Sequence, residues 1–152
     1  MKVYYLNGSR LLRAMLAGSE SVITRAEYLN EINVFPVADN DTGTNMALTL
    51  QNINKALNEN SSNSIQDVSS TLADSALIGA QGNSGVILAQ FLWGAAENIS
   101  DRSRIKVKTF GKAVNHALET AYTALSEPVE GTILSVMDSW AKAVESASCR
   151  QI

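Results

Sequence analysis

The chain has 152 residues, of which 45% are apolar and 18% charged, with a net charge of −3. That length supports one domain with a true core, burying roughly two-thirds of its unfolded surface, and the composition excludes a disordered chain. An acidic balance without a basic cluster argues against nucleic acid as the main partner. No apolar run nears the ~20 residues of a membrane span, which speaks against membrane insertion. Met1 to Gly8 lack a leader's pattern, and the single Cys149 cannot form an internal disulfide, so a cytoplasmic location is expected.

Helical periodicity runs through most of the chain. Leu11, Leu12, Met15, Leu16, Val22, Ile23, Ala26 and Leu29 recur at three- and four-residue steps and predict one long first helix. A break from Asn33 to Asn45 follows. It carries the apolar run Val34-Phe35-Pro36-Val37 and then Asp39 and Asp41 on either side of Asn40. Met46, Leu50, Ile53 and Leu57 predict a second helix, and Asn58 to Ser64 read as a solvated connector. Ser64 with Asp67 resembles a capping box before a third stripe, Ile65, Val68, Leu72 and Ala76.

The glycine-rich stretch Gly79 to Gly85 then opens a helix that is apolar on nearly all sides, from Ser84 to Asn98, as a helix buried on more than one face would be. Ser100 to Lys106 read as a second solvated connector. Val107 to Leu125 carry a fifth stripe, Glu127 to Thr132 a proline-containing break, and Ile133, Met137, Trp140 and Val144 a sixth. No strand-like alternation of any length occurs. The expected fold is all-α, an antiparallel bundle or barrel of about six to eight helices. It is expected to be a single domain over 1–152, and the uncapped ending ESASCRQI suggests a chain that is incomplete at its C-terminus.

Three of the breaks carry unusual chemistry. Read as a calcium loop from Asp39, the segment DNDTGTNMALTL fails at positions 5, 6 and 12, where Gly43, Thr44 and Leu50 stand. A plain turn with a helix cap remains open, because Asp and Asn side chains bond nearby backbone N–H groups. So does a metal site, because two carboxylates two residues apart can converge on one magnesium ion that completes its shell with water and phosphate. In GAQGNSGVILAQ, glycines precede a helix start, which suits either a cap at Asn83 or Ser84 or close approach to a phosphate. In EPVEGTILSV, Thr132 suits a cap or a phosphate contact. Three such helix starts on one rim would form a shared anion site. His116 and Cys149 carry no comparable pattern and read as an edge histidine and an unpartnered thiol.

Taken in order, LNEINVFPVADNDTGTNM, GAQGNSGVILAQ and EPVEGTILSV resemble the nucleotide-binding domain of the dihydroxyacetone kinase superfamily. Within it the chain is most similar, from about Leu6 to Val144, to the N-terminal domain of the fatty acid kinase ATP-binding subunit. The resemblance implies a barrel of antiparallel helices with ATP or ADP and two magnesium ions at one end. It implies Asp39 and Asp41 as metal ligands, with Asn33 the nearest counterpart of a third. Thr44, Asn45, Gly82, Asn83, Ser84, Gly85 and Thr132 would be the nucleotide-binding positions. No catalytic residue is assigned. The implied activity is phosphorylation of a fatty acid held by a separate acyl-binding partner, and a homodimer is compatible with it. Dihydroxyacetone kinase-type transfer and non-catalytic nucleotide sensing remain alternatives. Asn40 stands where the family usually has glycine, Gln81 where it usually has arginine, and Ala38 where it usually has proline.

Overall fold

The computed structural model describes residues 4–149. The expected uncapped ending at residues 150–152 and the thiol of Cys149 lie outside the described residues. Among them are seven helices and one two-stranded ribbon. The helices are α1 (Gly8–Ile23), α2 (Ala26–Glu31), α3 (Thr42–Glu59), α4 (Ile65–Gly79), α5 (Gly82–Glu97), α6 (Val107–Thr123) and α7 (Ile133–Cys149). The ribbon pairs β1 (Leu6–Asn7) with β2 (Arg104–Ile105), antiparallel. The fold is therefore an all-α bundle, as the periodicity predicts.

From α3 to α7 each helix packs on the next, while α1 lies across α3 and α4. The α3–α4–α5 side encloses Leu50, Ile53, Leu57, Val68, Leu72, Ala76 and Ala89, covered by the apolar stripe of α1. The α5–α6–α7 side encloses Ile87, Phe91, Val114, Ala117, Ala121, Leu134 and Met137. Because α5 contributes to both cores, its sequence has to be apolar on more than one face. Beneath the ribbon, Ile65, Ile99, Ile105 and Ala113 make a third, smaller core.

Four local expectations are corrected. The single long first helix is broken at Thr24 and Arg25, where the Thr24 hydroxyl donates to the Glu20 carbonyl at 2.8 Å and the chain re-enters as α2. Backbone competition of this kind from a threonine hydroxyl favours a helix end over its continuation. The Ser64–Asp67 capping box does not form. Ser64 makes no side-chain cap bond, and Asp67 instead accepts from the Ser62 hydroxyl at 2.7 Å. Neither solvated connector is merely solvated. Gly8 N–H donates to the Asn63 carbonyl at 2.9 Å, while the second connector carries β2 and the buried Ile105. Finally, a basic cluster does exist. Arg102, Lys106, Lys108 and Lys112 line a cavity of about 430 Å³ beside the start of α6. All four lie within the single stretch Arg102 to Lys112, and the turn into α6 gathers them around the cavity.

Candidate functional site

The first wall of the site is the loop between α2 and α3. Its shape is set by one side chain. Asn33 donates from Nδ2 to the Val37 carbonyl at 3.1 Å, and its Oδ1 accepts from the N–H groups of Asp41 and Thr42, both at 3.2 Å. Closing the loop this way turns Asn40 into the left-handed region, φ +54°. Asparagine tolerates that region where most residues do not, so it can stand in for glycine between the aspartates.

Asp41 occupies the N-cap position of α3, yet its carboxylate makes no cap bond. That task passes to α2. Asn30 accepts from Thr44 N–H at 3.0 Å and donates to the Thr44 hydroxyl at 2.9 Å. Gly43 is buried where a β-carbon would collide with the Ala26 carbonyl, so α2 and the first turn of α3 are in close contact. The result leaves the exposed carboxylates of Asp39 and Asp41 without a hydrogen bond or ion pair among the described residues.

The second wall is the start of α5. The connection from α4 is only Ala80 and Gln81, shorter than the break expected at Gly79 to Gly85, and the cap expected at Asn83 or Ser84 is absent. Gln81 holds the N-cap position, and its N–H donates to the Thr49 hydroxyl at 3.1 Å. Gly82 has φ +58°, and a β-carbon there would collide with the Asn45 amide. Asn45 therefore lies against the turn. Ser84 is buried, its hydroxyl 3.5 Å from the Thr42 carbonyl, and ties the second wall to the first. Gly85 is buried behind the wall, facing Thr49.

The third wall leads into α7. The Thr132 hydroxyl accepts from Leu134 N–H at 3.3 Å and donates to the Val129 carbonyl at 2.8 Å, which is the geometry of a capping residue. Ahead of it, Glu130 accepts from the Ser135 hydroxyl at 2.6 Å and from the Tyr122 hydroxyl at 3.2 Å. Burial raises the Tyr122 phenol above its ordinary value, and the bond to Glu130 raises it further.

These walls enclose one open cavity of about 520 Å³. Asn33, Asp39, Asp41, Gly82, Asn83, Ser84 and Thr132 line it, whereas Thr44, Asn45 and Gly85 stand behind its surface. Ile87, Leu125, Val129 and Ile133 supply an apolar side, and Phe35, Pro36 and Val37 the rim. The lining also includes Glu127, which no motif singled out; only its place in the same break as Thr132 could have signalled it. The lining holds three carboxylates and no Lys or Arg.

Among the described residues no group of three or more His, Cys, Asp or Glu is placed to cage a metal. Two free carboxylates beside an open cavity fit magnesium better than a metal needing a full protein shell, because magnesium keeps waters and takes phosphate oxygens. The Asn33 oxygen already accepts twice and serves to brace the loop.

Residues 36–151 match the family described as the DAK2 domain. The chain belongs to that family. Its similarity to the dihydroxyacetone kinase superfamily thus rests on most of its length, and the family is associated with kinase function. This DAK2 domain is 39% identical over 138 residues to an uncharacterized protein of Staphylococcus epidermidis, which covers 91% of the chain and 25% of that protein. An uncharacterized protein of Staphylococcus aureus is 39% identical over 144 residues, 94% of the chain and 26% of the relative. The chain spans about a quarter of the length of the curated relatives it matches. No helix among the described residues is long and apolar enough to cross a membrane.

Proposed function

We propose that this DAK2 domain binds ATP with magnesium in the cavity at the aspartate loop. In this reading it is the nucleotide-binding domain of a kinase that phosphorylates a fatty acid held by a separate acyl-binding protein. The observation that carries the reading is convergence. Three helix starts far apart in sequence meet around one cavity, with two unbonded carboxylates on its wall.

Asp39 and Asp41 would hold the metal, which supplies charge neutralisation and orientation of the phosphates when bound. The N-terminal turn of α5, which no side chain caps, presents N–H groups and the positive end of its helix dipole, whereas Asn33 and Asn30 already accept from the Thr42 and Thr44 N–H groups of α3. Glycine at 82 allows the φ +58° turn and the close approach of the Asn45 amide that shape this helix start. The Thr132 hydroxyl offers one further polar contact, and the Leu125, Val129 and Ile133 side fits the base. A fatty acid carboxylate is already ionised at neutral pH, so these residues have to bind and orient and need not remove a proton. The segments INVFPV and PVEGTIL support the fatty acid branch by their similarity to it.

Titration calorimetry with ATP and magnesium tests the site. Binding that disappears in Asp39→Asn with Asp41→Asn supports it, and undiminished binding in that folded variant sinks it. Transfer to a fatty acid on an acyl-binding partner, assayed beside transfer to dihydroxyacetone, then tests the substrate. Nucleotide binding with no transfer to either favours a sensor.

A further inference from the structure

The segment Arg102 to Lys112 holds five of the chain's 12 Lys and Arg residues and no Asp or Glu, although the chain as a whole is acidic. Arg104 is taken up over the Tyr5 ring, 5.3 Å from its centroid. The other four, Arg102, Lys106, Lys108 and Lys112, surround the cavity of about 430 Å³ together with Asn98 and Thr109. None of the four side chains makes an ion pair or hydrogen bond among the described residues. Glu97 and Asp101 are near in sequence but do not line the cavity, and Glu97 is 3.4 Å from the His116 ring.

The frame behind these cations is fixed. The Arg102 carbonyl accepts from Gln66 N–H at 3.2 Å, and the Ser103 carbonyl accepts from Ile65 N–H at 3.0 Å. Lys106 sits at the N-cap of α6 without a side-chain cap bond, so no side chain there occupies the first-turn N–H groups. Four unpaired like charges around a concavity repel one another, and a bound anion relieves that cost.

We propose that this cavity is a binding site for a small phosphate-bearing anion. It is separate from the aspartate-loop cavity and lies at the other end of α5, about 24 Å away along the helix at about 1.5 Å per residue. The lysines act as point charges on the phosphate, while Thr109, Asn98 and the α6 N-terminus supply oriented donors. The concave form, and the absence of aromatic residues from its lining, favour a small ligand over a nucleic acid strand, which would need stacking platforms. The proposal does not depend on nucleotide binding at the aspartate loop.

The test is a titration with inorganic phosphate, and separately with a phosphate monoester, against a chloride background. It is followed by backbone amide shifts and by thermal midpoint. Expected are saturable shifts at Asn98 and from Val107 to Lys112, with a rise in midpoint as a ligand binding the folded state requires. Lys108→Gln with Lys112→Gln should weaken binding by at least about tenfold, since each charged hydrogen bond lost is worth that much. Arg13→Gln with Lys55→Gln, which removes the same charge elsewhere, should bind as the unaltered chain does. The proposal is overturned by shifts that never saturate, or by equal losses in both variants. It is also overturned by binding to phosphatidylglycerol vesicles or to single-stranded DNA without a response to phosphate.

Discussion

The two cavities at opposite ends of α5 are near opposites in charge. The larger is lined by Asp39, Asp41 and Glu127 without a cation; the smaller by Arg102, Lys106, Lys108 and Lys112 without a carboxylate. Both borrow from the same two helices. α5 gives Ile87 to one end and leads into Asn98 at the other, and α6 begins beside the basic cavity and leads to Leu125 at the acidic one. The difference teaches how each could meet a phosphate. The basic end attracts an anion directly, whereas the acidic end repels one until a divalent cation has inverted its charge.

The strongest way to break this comparison is Asp39→Asn with Asp41→Asn. Loss of both carboxylates should exceed the roughly hundredfold that outer-shell changes cost a metal site, while phosphate binding at the basic end stays unaltered. Isothermal titration on both ligands checks this, and parallel losses would mean that the two ends are not independent. Next in size is Gly43→Ala. The added methyl meets the Ala26 carbonyl, so a destabilisation of about 1–3 kcal/mol is expected, with amide shifts confined to the aspartate end. Urea unfolding and NMR measure it.

A smaller effect should follow from Asn40→Val. A β-branched residue at φ +54° costs about 1–2 kcal/mol, whereas Asn40→Gly should leave stability close to that of the unaltered chain. Equal unfolding midpoints for the two variants would refute the left-handed turn. The smallest effect sharpens the third wall. Because the Tyr122 phenol is raised above 10.0 in the fold, its contribution is present below pH 10 and lost as pH climbs through the raised value. Tyr122→Phe should therefore flatten the decline of stability in alkali, read from thermal midpoints across that range.

Helix periodicity made the bundle legible, because a core of Leu, Ile and Ala at three- and four-residue steps encodes its own faces. The three chemically peculiar breaks could be read for the same reason, since each interrupts a stripe. What could not be read depended on who bonds whom across the fold. The family resemblance implies Asn33 as a metal ligand and Thr44 as a nucleotide contact; the fold adds that the Asn33 oxygen accepts from the Asp41 and Thr42 N–H groups and that Thr44 is bonded to Asn30. Glu127 stands inside EPVEGTILSV and the basic cluster inside Arg102 to Lys112, so both are local in sequence; what the sequence withheld is that each lines a cavity.

α7 leans chiefly on α6, whereas α5 is gripped by α3, α4 and α6. A helix held along one flank opens at a lower free energy than one held along three, so amide exchange should reach α7 well before α5. Thr132 and Ile133, at its start, belong to the wall of the aspartate-loop cavity. That cavity is thus assembled between a helix held on three sides and one held chiefly on one. Any ligand that spans it would slow deuterium uptake in α7 more than in the rest of the bundle.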